Sequence, residues 1–340
     1  MRILNVLVTG IGGPTAQGIL KGLTSLEDVF IVGADRRAQT TGNHFCDKTY
    51  RIPSHRNPAA YKEKIQEIVH KEKIDAIFPS LHEEIDIYKE FREDLPAYVA
   101  LPASENYSIL QDKEQVYKHL EKEGCTTYIP KYFGFQSNEE LLSIREKHFP
   151  EGAPIVVKQV NGHGSLGFAI LMDRPQYLEA MKQGKNKVIQ FRDYMDLHYS
   201  DRRIAMDHLE GDEYSVDVFI HEGKVIVAVP RLRHGVSNGI VLDGLVVKHE
   251  ELIEVATIIS EKLARSGFMN LQFMHDGNGY KLTDINPRFC GSQVMSLGAS
   301  VNFPSLFLHY NVKKEYVEVN PLWNTRMMRY RETVFFHDEE

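Results

Sequence analysis

Residues 1–104 alternate strand-like and helical patterns around glycines, and that alternation leaves few folds open. Residues 3–9 read as a buried strand, Gly10, Gly12 and Gly13 as a turn, residues 16–26 as a helix, and residues 30–35 as a second strand. A further strand at residues 74–78 precedes a helix after Pro79. Successive strand–helix–strand units close with one hand into a parallel, doubly wound sheet. The expected class is therefore α/β with a Rossmann-like N-terminal domain, and residues 102–104 mark a turn at its boundary.

The Gly10-x-Gly12 turn, its helix and Asp35 at a strand end are shared with dinucleotide-binding fingerprints, although Thr15 stands where the third glycine belongs. Amides at a helix start receive any anion, a substrate carboxylate included. An NAD-dependent reductase is kept as a reading of a different class.

A chain of 340 residues exceeds one ordinary core and calls for two or three domains. Its net charge is −7 and it carries no dense Lys/Arg run, so a nucleic-acid partner has no electrostatic footprint. No apolar run reaches membrane-spanning length, and the opening residues are broken by glycines too soon for a signal peptide. A cytoplasmic protein without a membrane partner is expected. Cys46, Cys125 and Cys290 are widely spaced, which fits ordinary thiols; Cys290 lies just past Arg288.

The chemistry concentrates near the C-terminal end. The segments NLQF at 270–273 and LTDINPR at 282–288 flank DGNG at 276–279, a turn between two alternating apolar runs. With a three-residue loop from Gly277 to Gly279 and Gly279 in the left-handed position, Gln272 lies opposite Asp284, and Asn286 shares their face. Leu271, Phe273 and Ile285 fill the other. One carboxylate and two carboxamides facing one point suit Mg²⁺, which prefers oxygen ligands. The same three side chains are equally a polar sheet face. Arg288 adds a planar cation that can hold phosphate or carboxylate bidentately.

Upstream, a strand at 154–160 containing Lys158 runs into a loop with Gly162, Gly164, Ser165 and Gly167, whose amides can approach phosphate oxygens. A surface loop is the competing reading, but a lysine inside a buried-looking strand is an odd place for an unpaired charge. Glu213 opens an alternating strand and suits ribose hydroxyls or solvent; a hairpin follows at 221–224. Arg231 and Arg233 share one strand face and line an anion site or face solvent. His163 and His234 read as structural or exposed, and the helical stripe at 251–266 as core.

Taken in order, Asp112-Lys113, Lys158 with its glycine loop, Gly211 to Glu213, Gln272 and the DINPR run resemble the ATP-grasp superfamily, most closely its carbamoyl-phosphate-synthase-like branch. The resemblance spans essentially the whole chain. It implies a Rossmann-like domain at 1–104, a small lobe with the glycine-rich lid at 105–195 and a two-lobed ATP-grasp α+β domain completed by a large lobe at 196–330. It further implies that Lys113 and Lys158 contact ATP phosphates and that Gly162, Gly164, Ser165 and Gly167 cover them. Residues 206–209, with Asp207 and Leu209, would form the adenine hinge, and Glu213 would hold the ribose. Gln272, Asp284 and Asn286 would bind Mg²⁺, and Arg288, with Lys158, would act on the transferred phosphoryl group.

The implied reaction joins a small-molecule carboxylate to an amine through an acyl phosphate. Bicarbonate or carbamate phosphorylation and a non-catalytic ATP sensor are the alternatives. Arg231 and Arg233 are candidates for a substrate carboxylate and Glu83 or Glu84 for an ammonium group, although either acid equally suits a helix N-terminus. A homodimer is a common arrangement for soluble enzymes of this size.

Overall fold

The computed structural model describes residues 2–104, 107–162, 167–237, 240–330 and 333–336. Five parallel strands, β1 (Leu4–Thr9), β2 (Val29–Asp35), β3 (Lys48–Arg51), β4 (Ala76–Phe78) and β5 (Tyr98–Val99), lie in the order β3-β2-β1-β4-β5. Val6 pairs with Ile31 on one side and Ala76 on the other. The chain runs outward from β1 through β2 to β3, then returns to β4 beside β1, so the strand order reverses at the β1–β4 junction. Buried on both faces, β1 is apolar at every position from 6 to 8, as a covered parallel strand must be.

The helices start where sequence chemistry directs them. Helix α1 (Pro14–Thr24) places proline in its first turn, where no amide is missed. Helix α2 (Pro58–Glu72) is capped by Asn57, which accepts from the Ala60 amide at 3.3 Å, and ends at Lys73 with φ of 50°. Helix α3 (Glu84–Phe91) follows β4 with Glu84 and Asp86 in its first turn.

A second sheet contains β6 (Tyr132–Phe135), β7 (Ile155–Gln159), β8 (Ala169–Met172), β9 (Val188–Gln190) and β10 (Arg203–Asp207), ordered β6-β10-β7-β8-β9. The third contains β11 (Glu213–His221), β12 (Lys224–Ser237), β13 (Ile240–Val246), β14 (Gly267–His275), β15 (Tyr280–Asn286) and β16 (Thr325–Met328), ordered β15-β14-β11-β12-β13-β16. The β11–β12 hairpin turns at Glu222 and Gly223, both with positive φ, as a tight two-residue loop requires.

The chain divides into two units. The larger comprises Met1–Glu105, Tyr214–Leu271 and Asn286–Glu340; the smaller comprises Asn106–Glu213 and Gln272–Ile285. In the larger unit the parallel sheet and much of the third sheet share one core. Val6, Val8 and Ile19 meet Phe268, Phe289 and Phe303 there, with the rings of Phe268 and Phe289 stacked at 4.5 Å. The smaller unit has its own core around Phe135, Leu141, Ile155, Val157 and Phe191. Among the described residues no helix is long and apolar enough to cross a membrane.

Candidate active site

In the smaller unit, strand periodicity sends Ile155 and Val157 into the core and Lys158 to the opposite face. The Lys158 ammonium donates to the Thr283 carbonyl at 2.9 Å and lies 5.6 Å from the centre of the Phe168 ring. Burial pulls its pKa below the ordinary lysine value; nearby Asp284 and Glu213 act the other way, while Lys113 adds to the depression.

Lys113 opens helix α4 (Lys113–Lys122), whose N-cap Asp112 accepts from the Gln115 amide at 3.0 Å. The lysine is buried; its ammonium donates to the Gly162 carbonyl at 2.6 Å and lies 3.4 Å from Asp284 Oδ1. One turn further, the Tyr117 hydroxyl reaches the Leu282 and Thr283 carbonyls at 3.0 and 3.2 Å and so fixes α4 against β15. Lys113, Lys158, Glu213 and Asp284, drawn from four separate segments, therefore form one electrostatic cluster in this unit.

Asp284 Oδ1 is buried and receives no hydrogen bond among the described residues. The Lys113 ammonium 3.4 Å away is its charge partner without hydrogen-bond geometry, and a hard cation would complete the oxygen's surroundings. Gln272 and Asn286 are half-buried like Asp284, whereas Leu271, Phe273 and Ile285 are buried. That alternation is the one expected of a polar and an apolar strand face. Asn286 ends β15 and belongs to the larger unit. Among the described residues no cluster of three or more His, Cys, Asp or Glu side chains suits a metal. Mg²⁺ on a single carboxylate would thus draw further oxygens from amides, phosphate and water, and the donor set fits it.

The turn differs from expectation. Gly277, with φ of 97°, holds the left-handed position in place of Gly279, and the Asp276 amide bonds to the Gly279 carbonyl at 3.1 Å. The Asp276 carboxylate accepts from the amides of Asn278 and Gly279 at 2.8 and 3.0 Å, which tightens the loop to two residues.

In the glycine loop, Gly164 and Ser165 lie outside the described residues, as does His163. Gly162 contributes its carbonyl to Lys113. Gly167 has φ of +66°, and a Cβ there would come within 2.6 Å of Gln159 Cγ, so both conformation and space require glycine. At the expected hinge Met206 is buried, while Asp207 and Leu209 are half-buried. The Asp207 carboxylate accepts from the Lys131 amide at 3.2 Å, and burial raises its pKa.

A family model described as "ATP-grasp in the biosynthetic pathway with Ter operon" matches residues 200–333. Over that stretch the chain is similar to ATP-grasp proteins. No curated protein matches it. Among solved structures, N5-carboxyaminoimidazole synthetase from Staphylococcus aureus is similar with a TM-score of 0.66 and 14% identity over 95% of this chain and 81% of that one. The L-amino acid ligase from Bacillus licheniformis gives 0.65 and 14% over 94% and 78%. Biotin carboxylase from Campylobacter jejuni gives 0.68 and 16% over 94% and 73%. At these identities the likeness establishes the ATP-grasp fold.

The remaining candidate residues lie in the larger unit. Arg288 is half-buried and donates to the Phe289 carbonyl at 2.8 Å. Arg231, expected at an anion site, is instead fully buried. It pairs with Asp217 at 2.6 Å and donates to the Ser292 carbonyl at 2.5 Å; Asn270 and Ser296 complete the carboxylate at 2.9 and 2.8 Å. Its charge is consumed in the core, which leaves none for a substrate carboxylate. Arg233, two residues along, is half-buried. Cys290 lies beside Asp217 with its thiol pKa raised by burial, as an unreactive cysteine.

Glu83 is exposed at the start of α3, while its neighbour Glu84 is the buried acid. Asp35 does not present a free carboxylate to a dinucleotide ribose. Its oxygens accept from the Gly12 amide at 3.0 Å and from the Arg37 amide and guanidinium at 3.0 to 3.2 Å. Sequence reasoning missed Tyr117, Phe168 and the arginines after β2. Only the Arg36-Arg37 pair left a signal, by following a strand end directly.

Proposed function

We propose that this chain is an ATP- and Mg²⁺-dependent ligase that joins a small-molecule carboxylate to an amine through an acyl phosphate, releasing ADP and phosphate. One observation carries the reading: the buried Lys113 and the half-buried Lys158 converge on the half-buried Asp284 carboxylate, whose buried Oδ1 accepts no hydrogen bond among the described residues. Apolar chemistry has no use for such a cluster, and polyphosphate with a hard cation completes it. The S. aureus synthetase was also solved with ADP, and a carboxylase domain from Hydrogenobacter thermophilus with MgADP, in support of the same ligand class.

In this reading Lys113 and Lys158 neutralise phosphate oxygens, Glu213 accepts from ribose hydroxyls, and Asp207 and Leu209 border the base. Gln272, Asp284 and Asn286 hold Mg²⁺, which when bound screens the phosphate charge. A substrate carboxylate oxygen attacks the γ-phosphorus as ADP departs, and Arg288 steadies the transferred group. The amine then attacks the acyl carbon and phosphate leaves. Phosphoryl transfer needs mainly positioning and charge neutralisation, so no protein nucleophile is required. The loop at 162–167 excludes water from the acyl phosphate. The small-lobe and large-lobe divisions at 105–195 and 196–330 belong to the same proposal.

The test is ADP release from Mg-ATP across a matrix of small carboxylates and amines, with Asp284→Asn as the blank. ADP that requires one acid and one amine together supports ligation. Tight Mg-ATP binding without ADP release under any pairing points to a nucleotide sensor and overturns it.

A further inference from the structure

The larger unit holds a cavity of about 610 Å³ over the carboxyl ends of the parallel strands. It is lined by Gly10 and Gly13 after β1, Arg36 and Arg37 after β2, Arg56 after β3 and Glu84 after β4. Open α/β sheets receive ligands at such ends where the strand order reverses, and here it reverses between β1 and β4. The volume is that of a small-molecule site.

Its walls are shaped for an anion. A Cβ at Gly12 would overlap the Arg37 guanidinium, and one at Gly10 would come within 2.7 Å of Ser80 Oγ, so glycines keep this wall low. Arg37 is neutralised by Asp35 at 3.0 Å. Arg36 and Arg56 have no carboxylate partner among the described residues and lie exposed at the cavity. Glu84 is buried, accepts from the Thr9 hydroxyl at 2.6 Å, and has its carboxyl pushed up to about 7 by burial, so much of its repulsion toward an anion is gone near neutrality. Helix α1 begins here without a side-chain cap and without an acid in its first turn.

We propose that this cavity binds the phosphate monoester group of a small-molecule substrate, with Arg36 and Arg56 as its charge partners. Two unopposed guanidinium groups match the −1.5 to −2 charge that a monoester carries near pH 7, about twice that of a single carboxylate. Glu83 also lines the cavity. Within this unit a Cβ at Gly291 would lie 3.4 Å from the Pro14 backbone, so the segment after Arg288 runs beside the start of the helix at the cavity. The ligand is thereby assigned as a phosphorylated substrate of the ligation. That role rests on the ligase reading; the binding does not.

The experiment is calorimetry on the full chain with glucosamine 6-phosphate, glucosamine and malonate, each with and without saturating Mg-AMP-PNP. The phosphate ester should bind, and glucosamine should bind far more weakly. The Arg36→Ala/Arg56→Ala variant should lose at least about tenfold in ester affinity, and Arg36→Lys/Arg56→Lys should keep part of it. Both side chains are exposed, so an unchanged melting temperature and unchanged Mg-AMP-PNP affinity verify the fold. Equal binding of malonate, ester affinity that ignores both variants, or no ester binding at millimolar concentration overturns the assignment. Failure of Mg-AMP-PNP to bind sinks the ligase reading instead and leaves the cavity result standing on its own.

Discussion

Asp217 and Arg231 meet 2.6 Å apart at zero exposure, two positions offset across the β11–β12 pair, where Asp217 sits opposite Val229. A long side chain spans that diagonal, and the arginine becomes part of the core. Arg231→Met should strand a buried carboxylate and lower unfolding free energy by roughly 3–5 kcal/mol, read as a shift of the urea midpoint. Adding Asp217→Asn should restore much of the loss. A raised KM with unchanged stability would return Arg231 to the substrate.

Asp284→Asn should leave the melting temperature of the free protein near that of the parent and reduce ADP formation by at least about a hundredfold. It keeps the shape and removes the one carboxylate of the proposed metal set. Steady-state turnover at saturating Mg-ATP is the measurement; turnover within a few-fold of the parent would refute the metal assignment.

Glu84 makes stability depend on pH. Its folded pKa of about 7 exceeds the ordinary value of 4.5, so the folded state binds more protons between those values, and unfolding free energy falls as pH rises through that window. Fully ionising the group costs roughly 3 kcal/mol. Glu84→Gln should flatten the melting temperature between pH 5 and about pH 8, with the largest gain over the parent at the alkaline end. An unchanged slope would show that the acid is not the titrating group.

Gly167→Ala combines a left-handed backbone with a contact to Gln159 that must shift. We expect a loss of about 1–3 kcal/mol, together with weaker Mg-ATP binding, in chemical denaturation and nucleotide titration. Gly223→Ala, equally left-handed but facing open space, serves as the comparison; equal nucleotide affinity in both variants would separate residue 167 from the lid.

Much of the fold was legible because it rests on local periodicity. The strand–glycine–helix opening, the 221–224 hairpin and the stripe of Leu252, Val255, Ile258, Ile259 and Leu263, all buried but the half-buried Ile258, each announce themselves within a dozen residues. The turn at 276–279 was misread by two positions because either glycine can take positive φ, and the choice falls to Asp276, whose carboxylate ties down Asn278 and Gly279. Arg231 was misread for another reason. Strand alternation tells which face a charge occupies, and the fate of that charge depends on Asp217, 14 residues away on the paired strand. The cavity over β1 to β4 was invisible because its arginines come from two separate loops, neither a motif alone.

The shared core of the larger unit also bears on how the chain is made. Val6 and Phe78 share a core with Phe289, Phe303 and Phe307, which the ribosome adds roughly two hundred residues later. At roughly 5–20 residues per second the parallel sheet waits some ten to forty seconds with its apolar face unclothed. During synthesis the chain is therefore expected to engage chaperones that shield hydrophobic surface. Slowing elongation late in the message should cost more soluble protein than slowing it early.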